Sequence, residues 1–329
     1  MAAPSEPAPA VAVVVATHDR AVLLPRLLEA LASQRGAPPY EVVLVDDASG
    51  DDTWAVLQAL AAQTACPVRV LRLPRNRGPA TARNVGWRTT SAPLVAFTDD
   101  DCVPAPHWLA ALVSGLATAD LAQGRTLPDP EQLAGSGPFS RTLRIEREDG
   151  FYQTCNLAYR REILQLTGGF DEEFRHPAGE DTELAWRALE AGAAAVFVSA
   201  ALVHHDVRPS SLAAALRDTP RWGSVVLAVR KHPALRQRMH SRWFWRAAHP
   251  PALAAAAGLA VLALSRGRGR LLLGAALLVP YTRYRLVTEQ LPRTGPRRRV
   301  ALLPAALLVD AAEVAVCAAA SVRERSLLL

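Results

Sequence analysis

The chain has 329 residues, half of them hydrophobic, which is enough for one large domain with an extension or for two domains. Its net charge of +6 hides an asymmetry: residues 1–216 carry 18 basic and 26 acidic side chains, whereas residues 217–329 carry 19 and 5. The Arg residues of the second part flank Leu, Ala and Val runs rather than aromatic residues. We therefore expect that part to bind membrane lipid and not nucleic acid.

The cysteines are too scattered for a disulfide framework or a zinc site, which indicates a reducing compartment. They stand at Cys66, Cys102, Cys155 and Cys317. Residues 1–10 are rich in Pro and Ala and lack a basic segment followed by an apolar one. We therefore predict a disordered N-terminus without a signal peptide.

Short apolar runs alternate with segments of helical periodicity in the first hundred residues. The runs predict buried strands at 11–16, 41–45, 68–73 and 94–97. Leucine and alanine spacing predicts helices at 23–31 and 80–88, and another helix that carries Trp54, Leu57 and Leu60. This alternation predicts an α/β domain with a mostly parallel sheet, in which ligands bind beyond the carboxyl ends of the strands.

Acidic clusters at 46–47 and 99–101 follow two of these strands. Three adjacent carboxylates repel one another, and a hard divalent cation such as Mg²⁺ or Mn²⁺ relieves that repulsion. Continued strand alternation would direct Asp99 and Asp101 to one side and Asp100 to the other. A solvated acidic turn is the alternative. The sequence has no G-x-G-x-x-G after the first strand and no P-loop motif, which argues against those two nucleotide sites.

Seven motifs in order resemble the signature of family 2 glycosyltransferases of the GT-A fold. They occupy residues 13–20, 43–49, 78–84, 98–101, 155–161, 168–172 and 179–184. The resemblance covers residues 11–208. Ala48 stands where the family usually has Gly, and His18-Asp19 stand where Tyr-Asn is common.

The resemblance implies a Rossmann-like catalytic domain at 11–216 and an inverting transfer from a nucleotide-diphosphate sugar. The acceptor would be a hydroxyl of a glycan or of a lipid-linked sugar. A sugar-nucleotide nucleotidyltransferase is one alternative, although residues 17–20 lack the Gly-rich basic loop of such enzymes. A non-catalytic membrane scaffold of the same fold is the other.

By the same resemblance, six residues bind the nucleotide sugar: Thr17, Asp19, Asp47, Arg83, Asp99 and Asp100. Asp47 would accept a hydrogen bond from the base, Asp99 would hold the ribose hydroxyls, and Arg83 would contact the diphosphate. The alternatives are a helix N-cap near residue 53 for Asp47 and a surface salt bridge for Arg83.

The resemblance also assigns Asp101 to a divalent metal, Mn²⁺ or Mg²⁺, with His205 favoured over His204 as a second ligand. A structural His is the alternative. Asp181 would be the general base that deprotonates the acceptor, because a carboxylate at a helix N-terminus is kept ionised. The alternative for Asp181 and its neighbour Glu180 is simple helix capping.

Residues 217–329 contain apolar segments at 251–264, 271–279 and 300–320, separated by Arg-rich turns. We expect a helical region attached to the cytoplasmic face of a bacterial cell membrane, either lying on it or spanning it. A soluble helical subdomain is the alternative. Arg221-Trp222 resemble part of the Q-x-x-R-W box of processive synthases, but Asp218 replaces the Gln, so we expect no polymer synthesis.

Overall fold

The computed structural model describes residues 8–64, 66–264, 267–288 and 295–329. Residues 1–7 of the predicted disordered N-terminus therefore lie outside the described part of the chain. The chain divides into two compact units. The first unit runs to Glu131 and resumes at Thr142–Asp206, and the second comprises Gln132–Arg141 and Val207–Leu329.

The first half of the first unit follows the predicted alternation of strands and helices. Its elements are β1 (Val11–Thr17), α1 (Leu24–Ala32), β2 (Tyr40–Asp46), α2 (Thr53–Gln63), β3 (Val68–Arg72), α3 (Pro79–Arg88) and β4 (Leu94–Thr98). The α/β prediction for this part is confirmed, and the observed element ends lie within one residue of the predicted boundaries.

The second half of this unit contains strands that the sequence analysis did not identify. Its elements are β5 (Cys102–Pro104), α4 (Trp108–Gly115), β6 (Leu121–Pro128), β7 (Asn156–Arg160), α5 (Arg161–Thr167), α6 (Glu180–Glu190) and β8 (Ala195–His205). The missed strands are short or mix polar with apolar residues, so their hydrophobic period is weak.

The eight strands form one mixed sheet in the order β3-β2-β1-β4-β7-β6-β8-β5. The pairs among β1 to β4 are parallel, whereas β7 runs antiparallel to both β4 and β6. Helices cover both faces of the parallel part, which is why β1 is apolar at nearly every position. Val13 and Val15 pack with α1 and α4 on one face, and Val14 packs with α3 and α6 on the other.

The parallel register brings the predicted site residues to one edge of the sheet. Thr17, the last residue of β1, is paired with Asp46, the last residue of β2. β4 lies on the other side of β1 and ends at Thr98. The loops that begin at residues 18, 47 and 99 therefore leave neighbouring strands at the same edge.

The second unit is helical among its described residues. It contains α7 (Leu212–Arg217), α8 (Gly223–Lys231), α9 (His249–Leu264), α10 (Arg268–Arg283) and α11 (Pro296–Glu324), with 3-10 turns at Leu133–Gly135, Thr219–Trp222 and Pro233–Arg238. A π-helical turn, Tyr284–Thr288, follows α10.

The acidic residues of α11 point into the helical unit. Asp310 accepts hydrogen bonds from the Tyr281 hydroxyl, at 2.6 Å, and from Arg285 Nε, at 3.1 Å. One turn later, Glu313 lies 3.3 Å from His249 Nε2, and both acidic side chains are almost fully buried. The spacing of three residues places the two carboxylates on one face, and residues 300–322 of α11 carry no other charged side chain.

α11 is the one described helix that is long and apolar enough to cross a membrane by length and composition. Its span Arg297–Glu324 contains an 18-residue window of mean hydropathy 2.0. α9 is apolar but shorter, at 16 residues.

Candidate active site

The loops after β1 and β2 are fastened to each other through Asp19. Asp19 Oδ1 accepts hydrogen bonds from the backbone N–H of Gly50, at 2.8 Å, and of Asp51, at 3.3 Å. The N–H of Asp19 donates in turn to Ser49 Oγ, at 2.9 Å. The predicted nucleotide-binding loops therefore hold a fixed relative position in the free protein, and Asp19 contributes to it. Thr17 lies buried beside Asp100 at the end of β1.

Asp47 uses both carboxylate oxygens to hold the turn before α3. Oδ1 accepts from the backbone N–H of Arg77 and Oδ2 from that of Gly78, both at 2.8 Å. The alternative role of Asp47 as the cap of α2 is wrong, because the N–H of Thr53 donates to Asp51 Oδ1 instead. Binding of a base by Asp47 stays a prediction.

The three consecutive aspartates have different partners. Asp99 Oδ1 accepts from Arg83 Nη2 at 2.8 Å, Asp100 Oδ1 lies 3.7 Å from Arg20 Nε, and Asp101 Oδ1 lies 3.6 Å from His205 Nε2. Strand alternation does not apply to these residues, because β4 ends at Thr98 and a turn follows, so the sharing of one ligand by Asp99 and Asp101 stays a prediction. Burial and the charge of Asp101 raise the pKa of Asp100 to about 7. Its assignment to the nucleotide-sugar site stays a prediction.

Asp101 and His205 fit a divalent metal. The His205 Nδ1 lies 2.9 Å from the carbonyl oxygen of Asp206, so Nδ1 donates there and Nε2 keeps its lone pair toward Asp101. A carboxylate oxygen and an imidazole nitrogen suit Mn²⁺, and Mg²⁺ prefers oxygen. The pairing of β5 with β8 sets Cys102 opposite His205, and the thiol belongs to the same group. Burial raises the pKa of Cys102 well above its usual value, so its protonated sulfur is a poor ligand for these ions.

The structure distinguishes the two histidines that the sequence left open. His205 is buried and faces Asp101, as described above. His204 is the preceding residue of β8 and lies near Asp129. Against the effect of burial, hydrogen bonds from Arg26 and from the backbone lower the pKa of Asp129. The preference for His205 over His204 as the second ligand is therefore consistent with the geometry.

Arg83 is buried between two acidic side chains. Its Nη1 donates to Glu180 Oε1 and its Nη2 to Asp99 Oδ1, each at 2.8 Å. These carboxylates, with Asp181 nearby, keep the pKa of Arg83 above its usual value against the effect of burial. The guanidinium therefore joins the aspartate turn to the start of α6. The predicted contact with a diphosphate stays a prediction.

Asp181 lies in the first turn of α6, where backbone N–H groups hold its carboxylate. It accepts from Thr182 N–H at 2.8 Å and from Thr154 N–H at 3.3 Å. Burial, followed by the charge of neighbouring Glu180, raises the pKa of Asp181 to about 7. A carboxylate with that pKa exchanges a proton readily near neutral pH, which suits a general base.

Three of the predicted carboxylates surround one buried thiol. Burial raises the pKa of Cys155 well above its usual value, and the charges of Asp99, Asp181 and Asp101 raise it further. The carboxyl end of β4 and the N-terminus of α6 therefore meet at a single acidic site. Side chains separated by 80 residues in sequence converge there.

Glu180 belongs to this site, although the sequence analysis considered it only as a helix cap. It is buried, and its Oε2 has no hydrogen-bond partner among the residues that the structure describes. No local pattern indicated this role, because its partner Arg83 lies 97 residues earlier in the chain. Cys102 was missed because the three residues of β5 carry no strand pattern.

Comparison with known proteins gives two family matches. A profile described as Glycosyl transferase family 2 matches residues 12–167, and one described as Glycosyl transferase family group 2 matches residues 94–284. The chain is 30% identical over 240 residues to a pre-mycofactocin glycosyltransferase of Mycobacterium tuberculosis, which covers 68% of this chain and 48% of the relative. It is 28% identical over 269 residues to a validoxylamine A glucosyltransferase of Streptomyces hygroscopicus, which covers 69% and 58%.

The chain thus spans about half the length of these curated relatives. Among solved structures it resembles the mannosyltransferase PcManGT from Pyrobaculum calidifontis, determined in complex with GDP-Man and Mn²⁺. The TM-score is 0.65 at 22% identity, and the match covers 92% of this chain and 86% of the other. At this identity the likeness establishes the shared fold.

Proposed function

The chain belongs to the family 2 glycosyltransferases and has their GT-A fold, and on this basis we propose that it transfers a sugar with inversion from a nucleotide-diphosphate sugar to an acceptor hydroxyl. Arg83 joins Asp99 of the aspartate turn to Glu180, the neighbour of Asp181, and this contact is the observation that carries the proposal. One edge of the sheet then offers both a cation site and a base.

Asp181 would act as the general base. The ionised carboxylate takes the proton from the acceptor hydroxyl as the oxygen attacks the sugar carbon, on the face opposite the leaving group. The N–H groups of Thr154 and Thr182 orient the carboxylate, and its pKa of about 7 makes it a stronger base than an exposed Asp. Inversion follows from a single displacement.

Asp101 and His205 would hold the divalent metal. A bound Mn²⁺ or Mg²⁺ supplies Lewis-acid stabilisation of the departing diphosphate. The complex of PcManGT with GDP-Man and Mn²⁺ supports a metal of this kind in the shared fold. Thr17, Asp19, Asp47, Asp99, Asp100 and Arg83 would complete the donor site, with Asp19 and Asp47 also holding its loops in place.

We also propose that the second unit attaches the chain to the cytoplasmic face of a membrane. Fifteen large hydrophobic side chains are exposed among the described residues, and thirteen of them belong to the second unit. Exposed apolar surface on this scale is typical of a lipid or protein contact. The acidic side chains of α11 are paired inside the unit, and arginines dominate its charged surface.

Assay of the full-length protein with a panel of nucleotide sugars tests the catalytic proposal. We expect one donor to raise the melting temperature in the presence of Mn²⁺ and to release a nucleoside diphosphate. Release of pyrophosphate or of a nucleotide sugar from a sugar phosphate would identify a nucleotidyltransferase instead. Absence of turnover with every donor and metal would favour the scaffold.

Fractionation tests the membrane proposal. We expect the chain to pellet with membranes and to need detergent for release, because apolar contact does not weaken in high salt. Release by salt alone would show that charge holds it and would exclude spanning helices.

A further inference from the structure

Four arginines of the second unit lie close together, and we call Arg141, Arg208, Arg221 and Arg246 the arginine cluster. The backbone N–H of Arg141 donates to the carbonyl oxygen of Arg208 and the reverse bond also forms, both at 3.0 Å. Arg221 lies in the 3-10 turn Thr219–Trp222, and Arg246 precedes α9. Segments separated by more than 100 residues therefore bring four cations to one place.

Two of these arginines lie over the same indole ring. The guanidinium carbon of Arg221 is 4.3 Å from the centroid of the Trp222 ring, and that of Arg246 is 4.9 Å from it. The ring of Trp245 packs against Trp222 with centroids 5.5 Å apart. Cation–π contacts to one indole fix two positive charges side by side, which Coulomb repulsion alone would separate.

Arginines outnumber carboxylates among the charged groups with the largest effect on the pKa of Arg221. Asp218 pairs with Arg141, and Glu313 lies 3.5 Å from Arg246 while it also contacts His249. Burial and then the charges of Arg141, Arg246 and Arg208 lower the pKa of Arg221 to about 10, against the opposing effect of Asp218. Arg221 thus lies in a net positive environment in a partly buried place.

Two N–H groups at the centre of the cluster are enclosed without an acceptor. Arg221 Nε and Trp222 Nε1 are buried atoms, and no residue that the structure describes accepts a hydrogen bond from either. A buried donor left unpaired destabilises a fold, so two of them are rarely kept adjacent. An anion with several acceptor oxygens would satisfy both donors and offset the positive charge around Arg221.

We propose that the arginine cluster binds the phosphate or diphosphate group of a membrane lipid, with Arg221 and Trp222 as its buried donors. Phosphate fits better than a carboxylate because it offers more acceptor oxygens and more charge to guanidinium groups. A lipid is the favoured source because this unit carries thirteen of the fifteen large hydrophobic side chains exposed in the described chain. This contact would add a specific headgroup site to the general attachment.

The first test uses the full-length protein in neutral detergent with inorganic pyrophosphate as the probe. We expect pyrophosphate to raise the melting temperature more than sodium chloride of equal ionic strength. Arg221→Gln should weaken this apparent affinity by about tenfold, because it removes a charged donor. Arg217→Gln is the matched control, since Arg217 is an exposed residue at the end of α7, and we expect it to behave as wild type.

The unliganded proteins show whether a variant merely misfolds. Arg221→Gln should melt no lower than wild type without pyrophosphate, because it relieves repulsion among the cations. Arg221→Lys keeps the charge but lacks the fork of donors, and we expect it to lose most of the pyrophosphate effect while folding normally. Equal pyrophosphate binding by wild type and both variants would overturn the proposal.

Vesicles distinguish a lipid source from a soluble one. The wild-type chain should bind vesicles of phosphatidylcholine with phosphatidic acid more tightly than vesicles with phosphatidylserine at the same net surface charge. Arg221→Gln should lose that preference, whereas Arg217→Gln should keep it. Equal binding to both vesicles by wild type would overturn the lipid assignment, and equal losses in the two variants would show a bulk charge effect and overturn the site.

Discussion

Arg83 Nη1 lies 2.8 Å from Glu180 Oε1, and this buried ion pair joins α3 to the first residue of α6. The same guanidinium also holds Asp99, so one cation organises both acidic motifs of the site. The positive charge of Arg83 offsets the repulsion among three neighbouring carboxylates, those of Asp99, Glu180 and Asp181. Arg83 therefore sets the relative position of the two acidic motifs and also balances part of their negative charge.

Arg83→Met should destabilise the protein by about 3–5 kcal/mol, because it leaves Glu180 and Asp99 charged and without their shared partner. Urea unfolding measures the change. Arg88→Met is the control in the same helix, where the exposed pair with Glu172 at 3.7 Å predicts a change below about 1 kcal/mol. Similar losses of unfolding free energy in both variants would contradict the expectation that the buried pair of Arg83 contributes more to stability than an exposed pair.

Asp181→Asn should lower turnover by about 10²–10⁴-fold while nucleotide binding persists, because the amide cannot accept the acceptor proton. In the wild type, kcat/KM should rise with pH and level off above about 7, since the base must be ionised and its pKa is about 7. Rate profiles at saturating metal test both. Turnover by the variant at the wild-type rate would show that Asp181 is not the general base.

The same carboxyl group makes stability depend on pH. The folded-state pKa of Asp181 lies above its ordinary value, so the protonated form favours folding and this contribution is lost as pH rises to about 7. The Asn side chain of Asp181→Asn does not titrate. Between pH 5 and 7 the free energy of unfolding of this variant should therefore increase relative to that of wild type, by about 1 kcal/mol or more. Unfolding free energies in metal-free buffer measure the difference. A constant difference across that range would contradict the raised pKa.

His205→Ala should weaken Mn²⁺ binding by about tenfold or more in the presence of a nucleoside diphosphate, because Nε2 faces Asp101. His204→Ala is the control, and we expect it to leave the metal affinity unchanged. Calorimetric titration with Mn²⁺ gives both constants. Equal losses in the two variants would place the metal elsewhere.

Ala48→Gly should stabilise the protein by about 0.5–1 kcal/mol, because Ala48 has φ +57° and only Gly adopts this region without a Cβ penalty. The conformation explains why the family usually has Gly at this position. Ala59→Gly, at an exposed site inside α2, should instead destabilise by about 1 kcal/mol. Thermal melts of the two variants should shift in opposite directions.

Apolar runs were sufficient for the first four strands, of which β1, β2 and β4 are almost entirely buried. β5, β6 and β7 were missed because β5 has only three residues and the other two mix polar with apolar side chains. Strand alternation could not be extended to Asp99 and Asp101, because β4 ends at Thr98 and a turn follows. The directions of side chains in a turn depend on backbone angles that a period of two does not describe.

The sequence by itself determined the family, the parallel half of the sheet and the identity of the carboxylates, because hydrophobic period and motif order are properties of neighbouring residues. Only the tertiary structure decided that Arg83 binds Glu180, that His205 and not His204 faces Asp101, and that Arg221 lies among three other arginines. These relationships join segments far apart in the chain. Distances between such segments follow from packing of the whole core, which no stretch of sequence specifies alone.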